Sequence, residues 1–319
     1  MKKKSERISA VVLSFFAACI AVSVVVLYRC NANSVEGKTD SEGTVKTPMI
    51  IWFQDIETGP EALELAISGG IFSHVLLEGV NQLDKPDYFV KPKFRKALKV
   101  LRKYKNVKFI WCRWLYPGHK LDNFKIDDAF DAEYYARQIR QIREEAKLLG
   151  ADFVAFDAEP YVKCPLKVIK NRKLSEKEFQ ELNSAIKIAT KVSGQVDFVL
   201  PAAMHRPNRL YNATQHLGKL IINEHTYFDV PESLNHTRLN EDKVPYDIFG
   251  AYVSINKKNP KNPKAPYFTP REILERQELW SGKKGLFIFP GYPKNAATVA
   301  LEFSKIRTAK PVPESNAVR

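Results

Sequence analysis

Short apolar runs alternate with amphipathic stretches along most of the chain, from Pro48 to Ile306. The runs Met49–Phe53, His74–Glu78, Val107–Trp111, Phe153–Asp157, Asp197–Pro201, Lys219–Asn223, Ile248–Val253 and Gly285–Phe289 are rich in Val, Ile, Phe and Tyr. Several are apolar throughout, the pattern of strands buried on both faces of a parallel sheet. Between them, Lys91–Tyr104 sets Phe94, Leu98 and Leu101 on one helical stripe, with Lys and Arg opposite. Asp131–Leu149 spaces Ile139, Ile142, Ala146 and Leu149 for a helix, and Gly150 is placed to stop it. Leu174–Val192 opens on Ser175-Glu176-Lys177-Glu178, a capping-box pattern. Thr269–Trp280 opens with proline in its first turn, and Pro293–Ile306 follows the last run. Eight strands, each followed by a helix or a helix-length segment, predict an α/β fold, a (β/α)8 TIM barrel over residues 48–307. The helical signal is weakest just before Lys219 and after Asn223. An open doubly wound sheet is the alternative; no Gly-x-Gly-x-x-Gly follows the first strand, which counts against a dinucleotide fold.

The N-terminus changes the picture. Lys2, Lys3, Lys4 and Arg7 precede an uncharged run from Ile8 to Tyr28, long enough to span a bilayer as a helix. A basic cluster on that side keeps the N-terminus cytoplasmic and exports the rest. Residues 1–30 therefore read as a signal anchor forming a transmembrane helix, or as a signal peptide cleaved near Ala32. A lipid-modified Cys30 is a third reading, opposed by the bulk of Tyr28 and Arg29. Residues 31–47, rich in Ser, Gly, Thr and charge, read as a flexible tether, and residues 308–319 as a polar tail. The expectation is a membrane-anchored protein facing the periplasm or the extracellular side, secreted if the leader is cleaved. The exported part keeps Cys112 and Cys164, which export would allow to pair. Asn212-Ala213-Thr214 and Asn235-His236-Thr237 match the glycosylation sequon.

The formal net charge is +14, of which the leader carries +4, leaving +10 on the exported part. That favours anionic surfaces: phospholipid, acidic polysaccharide or nucleic acid. The basic residues are spread out and not interleaved with aromatics on one element, and export argues against nucleic acid. Four Cys with no Cys-x-x-Cys pair exclude a disulfide-built scaffold and a zinc ribbon.

Reacting groups of such barrels sit at the C-terminal ends of the strands. In order these ends supply Gln54 and Asp55, Glu78, Arg113 and Trp114, Asp157, Glu159 and Tyr161, His205 and Arg206, Asn223, Glu224 and Tyr227, Tyr252, and Tyr292. Aromatic rings among carboxylates and amides suit a carbohydrate, whose C–H faces lie on rings and whose hydroxyls need directed partners. The plainer alternative is that Trp and Tyr only close the barrel mouth. Asp157-x-Glu159 is the sharpest feature: alternate strand residues share a face, so both carboxylates emerge together. Two close carboxylates push their pKa values apart and leave one able to act as an acid. The competing reading is that they cap loop N–H groups before Pro160.

The stretch Asp152-Phe153-Val154-Ala155-Phe156-Asp157-Ala158-Glu159 resembles the fourth-strand signature Asp-x-x-Asp-x-Asp-x-Glu of glycoside hydrolase family 18, the chitinases and endo-β-N-acetylglucosaminidases. Asp152, Asp157 and Glu159 match, and Ala155 replaces the middle Asp. The resemblance implies Glu159 as general acid on the glycosidic oxygen and Asp157 as orienter of a substrate N-acetyl group, which itself attacks the anomeric carbon. It implies an assisting tyrosine, Tyr227 or Tyr252. The missing middle Asp removes a proton partner for Asp157 and marks the chain as divergent.

The sequence thus predicts an exported glycoside hydrolase acting on a glycan, with room for an acidic one beside Arg113 and Arg206, and with no cofactor and no metal. Three alternatives stand. A two-carboxylate retaining glycosidase finds no carboxylate at the end of the seventh strand and would have to use Glu224. A metal site would combine Glu224, His225 and His205 with Asp157 or Glu159, but adjacent Glu and His on a strand face opposite ways. A non-catalytic glycan-binding or envelope protein shares the aromatic mouth without needing Glu159 as an acid.

Overall fold

The computed structural model describes residues 47–54, 60–79, 92–115, 126–158, 174–201, 209–223, 246–255, 267–290 and 293–308. The leader, residues 31–46 of the tether and residues 309–319 of the tail lie outside the described residues, as do Cys164 and Asn235. Among those described, no helix is long and apolar enough to cross a membrane.

The strands are β1 Met49–Gln54, β2 His74–Gly79, β3 Lys108–Trp114, β4 Phe153–Asp157, β5 Val196–Leu200, β6 Gly218–Asn223, β7 Ile248–Tyr252 and β8 Gly285–Phe289. The helices are α1 Pro60–Ser68, α2 Pro92–Lys103, α3 Ala132–Leu149, α4 Glu176–Ser193, α5 Arg209–Thr214, α6 Pro270–Glu275 and α7 Pro293–Thr308. All eight strands are parallel, each pairs with the next, and β8 pairs with β1 to close the barrel. The predicted α/β barrel is therefore the fold, and the open sheet is excluded by the β1–β8 pairing.

Local chemistry sets the helix ends. Ser175 and Glu178 form a reciprocal capping box at α4. Asp131 caps α3, and Gly150 ends it at φ 71, a conformation that costs glycine nothing. Thr269–Trp280 is not one helix. Its capping box and proline start α6, but Arg276 leaves helical geometry and a 3-10 turn, Gln277–Leu279, follows. The break frees the Ile273 carbonyl, which takes the Trp280 indole N–H at 3.0 Å. At Asn212 the sequon is built into α5: Thr214 is fully buried and its hydroxyl donates to the Leu210 carbonyl at 2.7 Å.

Two packing zones follow from the alternation of side chains across the wall. Outward residues such as Ile51, Val75, Trp111, Phe156 and Phe249 pack with Leu63, Ile139, Ile186 and Phe303 of the helices. Inward residues fill the lumen. Its floor is aromatic: His74 lies 5.8 Å from Phe153, and Phe153 lies 5.7 Å edge-on to Phe198. At the strand starts, Asp152, Asp197 and Asp247 each do one job. Their carboxylates accept from the backbone N–H of Phe109, Val154 and Ile221. Each also pairs a lysine: Lys108, Lys219 and Lys284 respectively.

His74 gives a pH prediction. Burial pushes its imidazole down to about 4 from 6.5, while Ser73 Oγ sits 2.8 Å from Nδ1. The folded ring stays neutral where the unfolded one binds a proton. The stability is therefore full above pH 6.5 and falls as pH drops from there towards 4. The loss is about 3 kcal/mol over that window. Urea melts of wild type and His74→Gln across the window should show the variant's slope flattened by that amount.

Candidate active site

A row of paired residues followed from β1 round to β8 returns to β1 eight residues nearer the N-terminus. This is the stagger of a TIM barrel, and it puts residues from alternate strands level with one another. The row Gln54–Glu78–Cys112–Ala155–Phe198 descends the barrel by one residue per strand. Level with Glu78 on β4 is therefore not Ala155 but Asp157, two residues further up. Phe289 of β8 belongs to the same level. Just below, on the odd strands, come Trp52, Cys112 and Leu200; just above come Gln54, Trp114 and Tyr252.

Two carboxyls, Glu78 and Asp157, thus face the lumen at one height, both fully buried. With them runs an aromatic arc. Trp52 packs against Phe289 at 4.4 Å with the rings tilted by 36°, Phe289 meets Tyr252 edge-on at 4.8 Å, and Tyr252 stacks on Tyr267 at 3.7 Å. The arc spans β1, β8, β7 and the segment after β7. Below it Trp52 also contacts Phe287 at 5.9 Å. The level thus holds two buried oxygen acids on β2 and β4, with the Trp114 ring on the strand between them and the aromatic arc on β1, β8 and β7.

Of the predicted site residues, the structure brings together Asp157, Glu78, Trp114 and Tyr252. Gln54 ends β1 beside Glu78 in register. Asn223 is buried but registers with Phe249, which places it on the outer face of the wall. Arg113 does not join the mouth. Strand β3 runs on through Trp114, so Arg113 follows Trp111 on the outer face. There its guanidinium pairs Glu145 of α3 at 3.0 Å, and the Trp111 indole donates to the same carboxylate at 3.0 Å. Arg113 is thus a buried structural cation, not a group that receives an acidic sugar. Asp55, Glu159, Tyr161, His205, Arg206, Glu224, Tyr227 and Tyr292 lie outside the described residues.

Asp152 is also relocated. It opens β4 at the far end of the barrel and does the same work as Asp197 and Asp247, so its match to the family signature has a structural explanation of its own. Three members of the arc, Trp52, Phe289 and Tyr267, were not among the predicted contacts. Trp52 lies inside the first apolar run, two residues before the predicted contact Gln54. Phe289 was visible as the last residue of the eighth run. Tyr267 follows β7 at a distance that no periodicity signals. Among the described residues no three His, Cys, Asp or Glu side chains are grouped to hold a metal ion.

No protein-family model matches the sequence, and no curated protein matches it. Solved structures with a similar chain path include a GH18 chitinase of Cycas revoluta in complex with (GlcNAc)4, at 11% identity over 81% of this chain and 99% of that one, with a TM-score of 0.46. The Bacillus cereus spore cortex-lytic enzyme covers 81% and 74%, at 11% identity and a TM-score of 0.44. A sugar phosphate isomerase/epimerase of Parabacteroides distasonis covers 82% and 99%, at 11% identity and 0.43. Likenesses at this level carry nothing about substrate or reaction, and the barrel stands on its own strand pairing.

Proposed function

We propose that this barrel is a glycoside hydrolase-like protein that cleaves a glycan O-glycosidic bond at its mouth. The observation that carries the reading is the buried level of Glu78 and Asp157 set against the arc of Trp52, Phe289, Tyr252 and Tyr267. A saccharide suits that mixture: apolar C–H faces for rings and hydroxyl edges for acids and amides. In the family 18 form of the proposal, Glu159 protonates the leaving oxygen. Asp157 orients the N-acetyl group that attacks the anomeric carbon, and Tyr252 or Tyr227 assists. Glu224 takes the second acid role in the two-carboxylate form. Gln54, Asp55, Trp114, Tyr161, His205, Arg206 and Tyr292 supply substrate contacts. The basic balance of the chain admits an anionic glycan.

The second reading is a non-catalytic glycan-binding protein, favoured by one residue. Ala155 puts a methyl where the family signature has a carboxylate. We further propose that residues 1–30 anchor the protein in a membrane, with the barrel on the periplasmic or extracellular side. Release of the protein by alkaline carbonate would refute the anchor.

The two functional readings part on one comparison. Wild type and Glu159→Gln are offered chitooligosaccharides and a glycoprotein. Hydrolysis by wild type that is lost in the variant, with binding kept, supports the hydrolase. Binding by both with turnover by neither supports the binding protein, and binding by neither removes both.

A further inference from the structure

We infer that the face of the barrel opposite the mouth, where the strands begin, adsorbs to an anionic phospholipid bilayer. The anchor proposed above is what brings this face to a bilayer; the lipid contact itself is a property of the barrel.

The short segments that join helices to the strands after them lie on this face, among them residues 104–107, 150–152, 194–195 and 281–284. The chain also enters here. The Pro48 carbonyl, just before β1, accepts from the Leu286 N–H at 2.9 Å, and the Met49 N–H donates to the Ser73 hydroxyl at 3.2 Å. Whatever precedes Thr47 therefore joins the barrel at this end, away from the mouth.

Two neighbouring helices finish on the same pattern. Helix α3 runs out as Lys147-Leu148-Leu149-Gly150 and α4 as Lys191-Val192-Ser193-Gly194. Gly150 and Gly194 sit at φ 71 and 74, and each turns the chain towards its next strand. The two ends lie side by side, because Arg143 of α3 donates to the Ser193 carbonyl and, at 2.7 Å, to that of Gln195. Leu148 is 77% exposed and Val192 is 71% exposed, the highest values for large apolar side chains among the described residues. A lysine near a helix C-terminus suits the macrodipole, but the dipole gives no reason for the bare apolar residue beside each one.

The charge of this face is one-sided. Asp152, Asp197 and Asp247 are each occupied by a backbone N–H and a lysine. Arg102, Lys105, Lys147 and Lys191 are exposed and have no carboxylate partner among the described residues. Cations with no local counter-charge attract an anionic surface.

The exposed apolar pair favours lipid over a soluble polyanion. A lysine stem lies along apolar surface while its ammonium stays with phosphates, and Leu148 and Val192 enter the acyl boundary beneath. A hydrated polysaccharide offers those two side chains nothing. Residues 31–46 span at most about 55 Å fully extended, so an anchored chain keeps this face at a high effective concentration near the bilayer. Each lysine at an anionic surface changes partition roughly fivefold. The mouth then opens away from the bilayer.

The experiment places the full-length protein in nanodiscs of phosphatidylcholine, with and without phosphatidylglycerol. Lysines are labelled with an amine-reactive reagent and read by mass spectrometry. Lys177, in the first turn of α4 at the other end of the helix, is the internal reference, its side chain 86% exposed. Labelling of Lys105, Lys147 and Lys191 should fall about fivefold with phosphatidylglycerol and recover in about 0.5 M salt. Leu148→Ser with Val192→Ser should lose the protection, and so should Lys147→Glu with Lys191→Glu, read at Lys105. Thermal melts establish that these surface variants fold.

Protein that stays in the discs with labelling indifferent to phosphatidylglycerol overturns the proposal and leaves the anchor. Protection that survives Leu148→Ser with Val192→Ser, and that alginate reproduces, overturns it as well, since the face then takes any polyanion. Protein that carbonate releases from membranes, yet that floats with phosphatidylglycerol vesicles and not with phosphatidylcholine ones, keeps the lipid face and removes the anchor.

Discussion

Glu145→Ala is expected to cost about 4 kcal/mol of folding stability. Glu145 sits on α3, buried against the outside of the barrel wall. Its carboxylate accepts from Arg113 Nη1 at 3.0 Å, from Trp111 Nε1 at 3.0 Å and from Gln141 Nε2 at 3.2 Å. The Arg113 side chain is 2% exposed, so the variant strands a full positive charge and an indole donor away from water. An orphaned buried charge costs far more than the pair ever contributed. The double variant Arg113→Met with Glu145→Leu should therefore recover most of the loss, because it removes both charges and keeps the volume. Urea midpoints for the two variants test this. A single-variant loss below about 1 kcal/mol would mean that water reaches the pair and that it behaves as a surface ion pair.

Gly218→Ala is expected to cost about 3 kcal/mol, for a steric reason. Gly218 opens β6, and a Cβ there would lie 2.7 Å from the Cβ, Cγ1 and backbone nitrogen of Val199. Two of those three atoms cannot swing aside, so β5 and β6 would have to part, and their pairing is part of the closed wall. Val199→Ala added to Gly218→Ala should not rescue it, since the Cβ and the nitrogen remain. Gly69→Ala is the milder comparison: its Cβ would lie 2.9 Å from Ser304 Oγ, which can turn away, and 3.1 Å from Ser304 Cβ, which needs a shift of only a few tenths of an ångström. Thermal melts of the three variants decide the point. A rescue by Val199→Ala would show that the branched methyl, not the backbone, sets the limit.

The strands were legible because a barrel wall is apolar on both faces, and each run of Val, Ile and Phe needed no amphipathic signal. Helices α1 and α5 were expected only as helix-length segments without bounds, for the opposite reason. Each is short, at 9 and 6 residues, and offers few turns over which a stripe can repeat. The misplacement of Arg113 has a specific cause. A charged residue after Trp111 looks like the end of a buried strand, yet the strand continues to Trp114 with Arg113 neutralised by Glu145. Counting by two from Trp111 would have put Arg113 behind the wall. Glu78 and Asp157 could be named from strand ends, but their being level could not. That depends on the stagger of the whole barrel, a property no single segment carries. The resemblance to family 18 mixed the two kinds of information: Asp157 reaches the mouth, while Asp152 serves the opposite end.

The pairing of Ile51 with Ile288 has a consequence for how this protein is made. Until residues 285–289 have left the ribosome, the growing sheet has two open borders, and each is a template for a neighbouring chain. A contact between the first strand and the last is also slow to form, because nearly the whole polypeptide must be looped to make it. The hazardous interval in the life of this molecule is therefore its synthesis, and it ends when the final strand slots home.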